Sequence, residues 1–118
     1  MWFSSDNGGL PKIKPKTTGG LRDFKGSLYE GGIRVPAIIE WPKIIDKYRA
    51  RKTNFPAGAV DVFPTVAKIV GLTDSSFLTP QDGVSLLPLI KNNKEKKREK
   101  PLIFRSRGRM AVIDNDWK

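Results

Sequence analysis

The chain contains no cysteine and no histidine. Their absence excludes disulfides, thiolate zinc sites, a cysteine nucleophile and a Ser/His/Asp relay built from these residues. Acid or base chemistry would therefore fall to carboxylates, lysine, tyrosine or water. Long apolar runs are also lacking. The two longest stretches, Val35 to Ile39 and Val84 to Ile90, are interrupted by proline and fall short of the ~18 residues that a spanning helix needs. Met1-Trp2-Phe3-Ser4-Ser5 has neither a basic leader nor an apolar h-region, so no signal peptide is expected in this stretch. What is present is 38% apolar and 29% charged residues over 118 positions, the composition of a soluble chain with room for about one domain.

Charge of one sign dominates. Lysine and arginine number 22 against 12 acids, a net charge of +10, which ordinarily points to a polyanionic partner. The basic residues are unevenly spread. Lys91, Lys94, Lys96, Lys97, Arg98 and Lys100 cluster with Glu95 and Glu99 and no aromatic residue, whereas nucleic-acid grooves interleave cations with stacking platforms. The run is expected to be a solvated linker, and nucleic acid is the less favoured partner. Lys12, Lys14 and Lys16 alternate with Ile13 and Pro15 and read as a solvent-facing loop.

Periodicity supplies the coarse organisation. Trp2-Phe3 leading into Ser4-Ser5-Asp6-Asn7-Gly8-Gly9 reads as the end of a buried strand running into a glycine turn. Residues Leu10 to Gly20 read as loop, and Leu21 to Gly32 as a structured turn rather than a helix. Ile33 to Pro42 is a β-rich run with Pro36 at its start or on an edge. Between Asn54 and Leu72, the spacing of Val60, Val62, Phe63, Val66, Ala67, Ile69 and Val70 predicts a helix capped by Gly71, with Asp61 and Pro64 near its start. A short helix after Asp82-Gly83, strands at 101–105 and 109–113, and a turn at Asn115-Asp116 complete the order. The apparent broken ends are expected to mark a slice of a larger α/β architecture with a small antiparallel tail.

Two clusters could carry chemistry. Asp6 and Asn7 offer adjacent hard oxygen donors where the backbone bends, suited to calcium or magnesium; an ordinary Asp-Asn-Gly turn reads the same way. In Arg22-Asp23-Phe24-Lys25-Gly26, Lys25 could hold an anion as a point charge beside backbone N–H groups, or be a surface lysine. The Gly31-Gly32 pair calls for close packing or a positive φ, and Glu30 with Arg34 could form an ion pair that fixes the turn.

Ser5-Asp6-Asn7-Gly8, the sixteen-residue block from Leu21 to Pro36, Trp41-Pro42, Asp61 to Thr65, Asp82 to Leu89, and Ala111 to Lys118 together resemble, in order, the second half of the arylsulfatase-type sulfatases. The resemblance implies a partial alkaline-phosphatase-like three-layer α/β sandwich with the start of a small antiparallel C-terminal sheet. It divides the chain into catalytic-domain residues 1–90, a charged linker at 91–100 and the start of the small β subdomain at 101–118. It further implies calcium as cofactor, with magnesium as the alternative, Asp6 and Asn7 as metal ligands, and Lys25 as the catalytic contact to the sulfate of an aryl or carbohydrate ester. The family's formylglycine nucleophile arises in a Cys/Ser-x-Pro-x-Arg motif that has no counterpart here, and the family's other metal aspartates, histidines and second lysine are also unmatched. The expectation is therefore a fragment that is inactive alone, from a parent that is exported, periplasmic or lysosomal. The competing expectations are a non-catalytic basic module binding nucleic acid or sulfated polysaccharide, and a phosphohydrolase relative. A two-metal phosphatase site needs more Asp and His ligands than these residues offer.

Overall fold

A computed structural model describes residues 1–45, 50–73, 75, 77–92 and 97–118. Its elements run β1 (Trp2–Ser4), α1 (Glu30–Ile33), β2 (Ala37–Ile39), a 3-10 turn (Ala59–Asp61), α2 (Val62–Ile69), α3 (Leu87–Asn92), β3 (Leu102–Ser106) and β4 (Arg109–Ile113). They divide between two compact units, one of residues 1–41 with 103–111, the other of 42–102 with 112–118.

In the first unit β1 pairs antiparallel with β2 in the register Trp2 to Ile39, Phe3 to Ile38 and Ser4 to Ala37. The ladder continues one step further, because Met1 and Glu40 exchange backbone hydrogen bonds. Pro36 stands just outside β2, where its missing N–H costs the ladder nothing. The expectation of a buried first strand is not met: Phe3 is 56% and Ile38 57% exposed, so this opposed pair presents an apolar face. The stretch from Leu21 to Tyr29 is turn, bend and irregular backbone, as expected. The end of that block differs, because Glu30–Ile33 winds into one helical turn.

The second unit holds a small core of Ala67, Leu86, Ile90 and Leu102, where α2 packs on α3. Helix α2 lies within the expected span and ends as its glycine demands. Gly71 takes φ +78°, and the Leu72 N–H reaches back to the Ala67 carbonyl at 3.0 Å, the closing bond of a Schellman turn. Its orientation is the reverse of what burial of apolar surface alone would give. Pro64, Thr65 and Ala67 are buried, whereas Val62, Phe63, Val66, Ile69 and Val70 are exposed. The inward face is set by polar groups. Thr65 Oγ1 donates to the Asp61 carbonyl (2.6 Å) and accepts from the Leu86 N–H (2.8 Å), and both Asp61 and Thr65 are 0% exposed.

Arg98 corrects the solvated-linker expectation at its own position. It is 4% exposed and forms a two-pronged ion pair with Asp61, at 2.8 and 2.9 Å. Its backbone N–H also donates to Asn115 Oδ1, and Lys97 and Glu99 on either side are exposed. Lys94, Glu95 and Lys96 of that run lie outside the described residues.

The antiparallel pair β3–β4 forms where alternation placed it. Arg107 (φ +49°) and Gly108 (φ +76°) connect the strands, the two left-handed residues of a type I′ hairpin. The turn at Asn115 is also present, with a bridge between Asp114 and Trp117. The described elements are thus small antiparallel sheets and short helices, and the expected three-layer sandwich is not built by them alone.

Candidate functional site

Three glycines decide how the Asp6-Asn7 turn meets the Lys25 loop. Gly8 is buried and its N–H donates to the Gly32 carbonyl at 2.8 Å. A Cβ on Gly8 would stand 1.8 Å from the Gly31 carbonyl oxygen, a separation no side chain tolerates. Gly31 and Gly32 are equally tight, with Cβ positions 2.0 Å from the Asp23 carbonyl oxygen and 2.1 Å from that of Ser27. The Gly31-Gly32 pair therefore serves close packing, one of the two roles read from the sequence.

This packing brings the two clusters to one place. The Lys25 N–H donates to the Gly9 carbonyl at 2.9 Å, and the Gly31 N–H to the Arg22 carbonyl at 2.7 Å. Ser5 Oγ donates to the Asn7 carbonyl at 2.8 Å, folding the turn on itself. Around Lys25 the loop is braced locally: the Arg22 guanidinium lies 3.6 Å over the Tyr29 ring, a cation–π contact, and the Asp23 carboxylate accepts the Phe24 N–H. Gly26, at φ +89°, turns the chain directly after Lys25.

The candidate side chains are accessible. Asp6 and Lys25 are exposed and Asn7 is half-buried, and none of the three is hydrogen-bonded or ion-paired through its side chain to another described residue. A carboxylate and an amide oxygen suit a hard cation such as calcium. Among the described residues, no group of three or more Asp, Glu, His or Cys side chains could hold a metal. The donors present thus fit part of a coordination sphere, which for calcium takes ~6 to 8 oxygens.

The sequence profile of the sulfatase family matches residues 1–72, the segment that contains both clusters. The chain belongs to the sulfatase family. It is 32% identical to human steryl-sulfatase over 105 residues, covering 81% of this chain and 17% of that protein. A sulfatase of Formosa agariphila is 33% identical over 103 residues, 86% of this chain and 18% of the relative. Human arylsulfatase A is 32% identical over 125 aligned positions, spanning 98% of this chain and 23% of its own length. The chain therefore spans less than a quarter of each of these curated relatives. Among the described residues, no helix is long and apolar enough to cross a membrane.

Two features of this region are not evident from the sequence pattern. Ser106 Oγ donates to the Gly26 carbonyl at 2.8 Å, and Arg107 Nη2 lies 3.8 Å from where a Cβ on Gly26 would be. The Arg107-Gly108 pair is the available signal, since a residue followed by glycine between alternating runs marks a hairpin.

Proposed function

We propose that this chain supplies part of the active site of a sulfate ester hydrolase. Asp6 and Asn7 hold one side of a calcium ion, with magnesium as the alternative, and Lys25 contacts a sulfate oxygen. The observation that carries the reading is the hydrogen bond from Lys25 N–H to the Gly9 carbonyl, which keeps the oxygen donors and the ammonium on neighbouring turns. When bound, the cation supplies positive charge against the sulfuryl oxygens. Lys25 adds a compact charge on a flexible stem, suited to a tetrahedral oxyanion. The rest of the layered α/β sandwich, the remaining metal ligands and the formylglycine nucleophile belong to a longer parent protein, exported or lysosomal, so the 118 residues do not turn over substrate alone. Arg98 weakens the alternative of a basic binding module, since its charge is buried against Asp61.

The test is a titration of the chain, first with calcium chloride and then with sodium sulfate, followed by backbone amide NMR. Calcium should shift the amides of Asp6, Asn7 and Gly8, and Asp6→Ala should abolish those shifts. Sulfate should then shift Lys25 and Gly26, and Lys25→Gln should abolish that response. Calcium shifts confined to other carboxylates, or sulfate shifts that survive Lys25→Gln, would overturn the assignment.

A further inference from the structure

The β3–β4 hairpin tip has a feature that its fold does not require. Type I′ turns favour asparagine or glycine at the first central position, because φ there is positive. Here that position is Arg107, at φ +49°, a conformation uncommon for a long side chain. Arg105 and Arg109 flank it, and all three are exposed. None of their side chains forms a hydrogen bond or ion pair among the described residues, and no acid occurs between Lys100 and Ile113. Together with Ser106, Gly108 and Met110 they line an open depression of about 450 Å³.

The hairpin is also anchored at a particular place. Ser106 donates to the Gly26 carbonyl, the residue after Lys25, and the Arg107 guanidinium lies against Gly26. A group held by Lys25 would therefore have the Arg107 guanidinium close by. Guanidinium presents a planar fork of donors that matches sulfate and carboxylate oxygens.

We propose that this hairpin tip is a specificity-determining anion subsite, in which Arg107, with Arg109 on the same face as Ser106, binds a second oxyanion of the substrate next to the sulfate held by Lys25. The inference rests on the reading of Lys25 given above. The substrate class it names is a sulfate ester with an additional sulfate or carboxylate near the scissile group, rather than one with an otherwise uncharged alcohol portion.

The test measures binding of three probes to the full chain by amide NMR: a neutral disaccharide with one sulfate, the same backbone with two sulfates, and a monosulfated disaccharide with a uronic acid. At least one doubly charged probe should bind about tenfold tighter than the singly charged one, equivalent to ~1.4 kcal/mol, and the advantage should shrink with added salt. Which of the two binds tighter distinguishes sulfate from carboxylate. Arg107→Asn, which suits the left-handed turn better than arginine, should erase the advantage, weakening the doubly charged probes far more than the singly charged one. Arg109→Gln should reduce it, and Arg105→Gln, on the opposite face of the hairpin, should not. Equal affinity for all three probes, or an advantage that survives Arg107→Asn, overturns the subsite. In that event weaker binding of the singly charged probe by Lys25→Gln leaves the Lys25 reading standing. An advantage lost in Arg107→Asn but accompanied by no effect of Lys25→Gln on any probe overturns the Lys25 reading and, with it, the placement of this subsite. Displacement of the sugars by duplex DNA at lower concentration than by one another overturns the substrate class.

Discussion

Asp61 and Arg98, 37 positions apart, meet through two parallel hydrogen bonds of 2.8 and 2.9 Å, with both side chains withdrawn from water. The carboxylate is saturated from the other side as well. Gly58 N–H donates to Oδ2 and Val84 N–H to Oδ1, each at 2.8 Å. One acid thus ties the entry to α2, the segment before α3 and the residues before β3. Arg98 is similarly committed, with further bonds to the Pro56 and Lys100 carbonyls.

Removing one partner leaves a buried charge uncompensated, which costs ~3 to 5 kcal/mol, a large share of the ~5 to 15 kcal/mol that holds a typical domain together. Arg98→Met, which keeps the apolar stem, should lower the urea midpoint accordingly. Arg98→Lys should not restore it, because an ammonium cannot span both oxygens and the two carbonyls. The double substitution Asp61→Leu with Arg98→Met should remain destabilised, since Gly58 and Val84 lose their acceptor. A double variant as stable as the parent chain would show that those two N–H groups find other partners.

Thr65 predicts a smaller, separable effect. Its hydroxyl is the acceptor for the buried Leu86 N–H and a donor to Asp61. Thr65→Val keeps the shape and removes both bonds, leaving an unsatisfied N–H that costs ~1 to 3 kcal/mol. Thr65→Ser should retain most of the stability. A Val variant as stable as the parent chain would show that the Leu86 N–H finds another acceptor.

The glycine clamp predicts a loss localised to the proposed site. Gly8→Ala and Gly31→Ala place a Cβ about where a backbone carbonyl oxygen already stands, so the Asp6-Asn7 turn must separate from the Lys25 loop. In hydrogen exchange the Lys25 amide, bonded to Gly9, should lose its protection in both variants. Gly19→Asn is the control. Gly19 has φ +60° and nothing within 4 Å of a Cβ, and asparagine tolerates that conformation. Unchanged Lys25 protection in Gly8→Ala would mean that the two turns are not held together by this packing.

Local pattern is legible in this sequence and distant pairing is not. The β3 and β4 strands and the Gly71 cap follow from alternation and from a residue type placed where only it is comfortable, and such signals lie within a few residues of their effect. The coupling of Asp6 and Asn7 to Lys25 is read from the resemblance alone, because the Lys25–Gly9 and Gly8–Gly32 backbone bonds that join their turns link positions far apart in the chain and leave no local pattern. Arg98 reads wrongly from the sequence because nothing nearby marks it. Its partner sits on another element, and a basic run looks solvated when each charge is read alone. The facing of α2 is obscured for a related reason: Val62, Phe63, Val66 and Ile69 share one side of the helix, which reads as the buried one, whereas the Asp61 and Thr65 bonds turn the other side inward.

That choice leaves an apolar surface on the outside of α2, where Phe63 touches Phe77 edge-on with ring centroids 5.4 Å apart, and Val66 and Val70 are exposed. Exposed valines add little to the stability of the unit that carries them, and substitutions at such surface positions fall within about 0.5 kcal/mol. A contiguous exposed apolar patch nevertheless promotes association. Val66→Lys with Val70→Lys should leave the urea midpoint of the chain nearly unchanged and lower its sedimentation-derived molecular mass at high concentration. A loss of more than about 2 kcal/mol, the scale of a buried side chain, would mean that these valines are covered in solution and that the outward face of α2 belongs to a core.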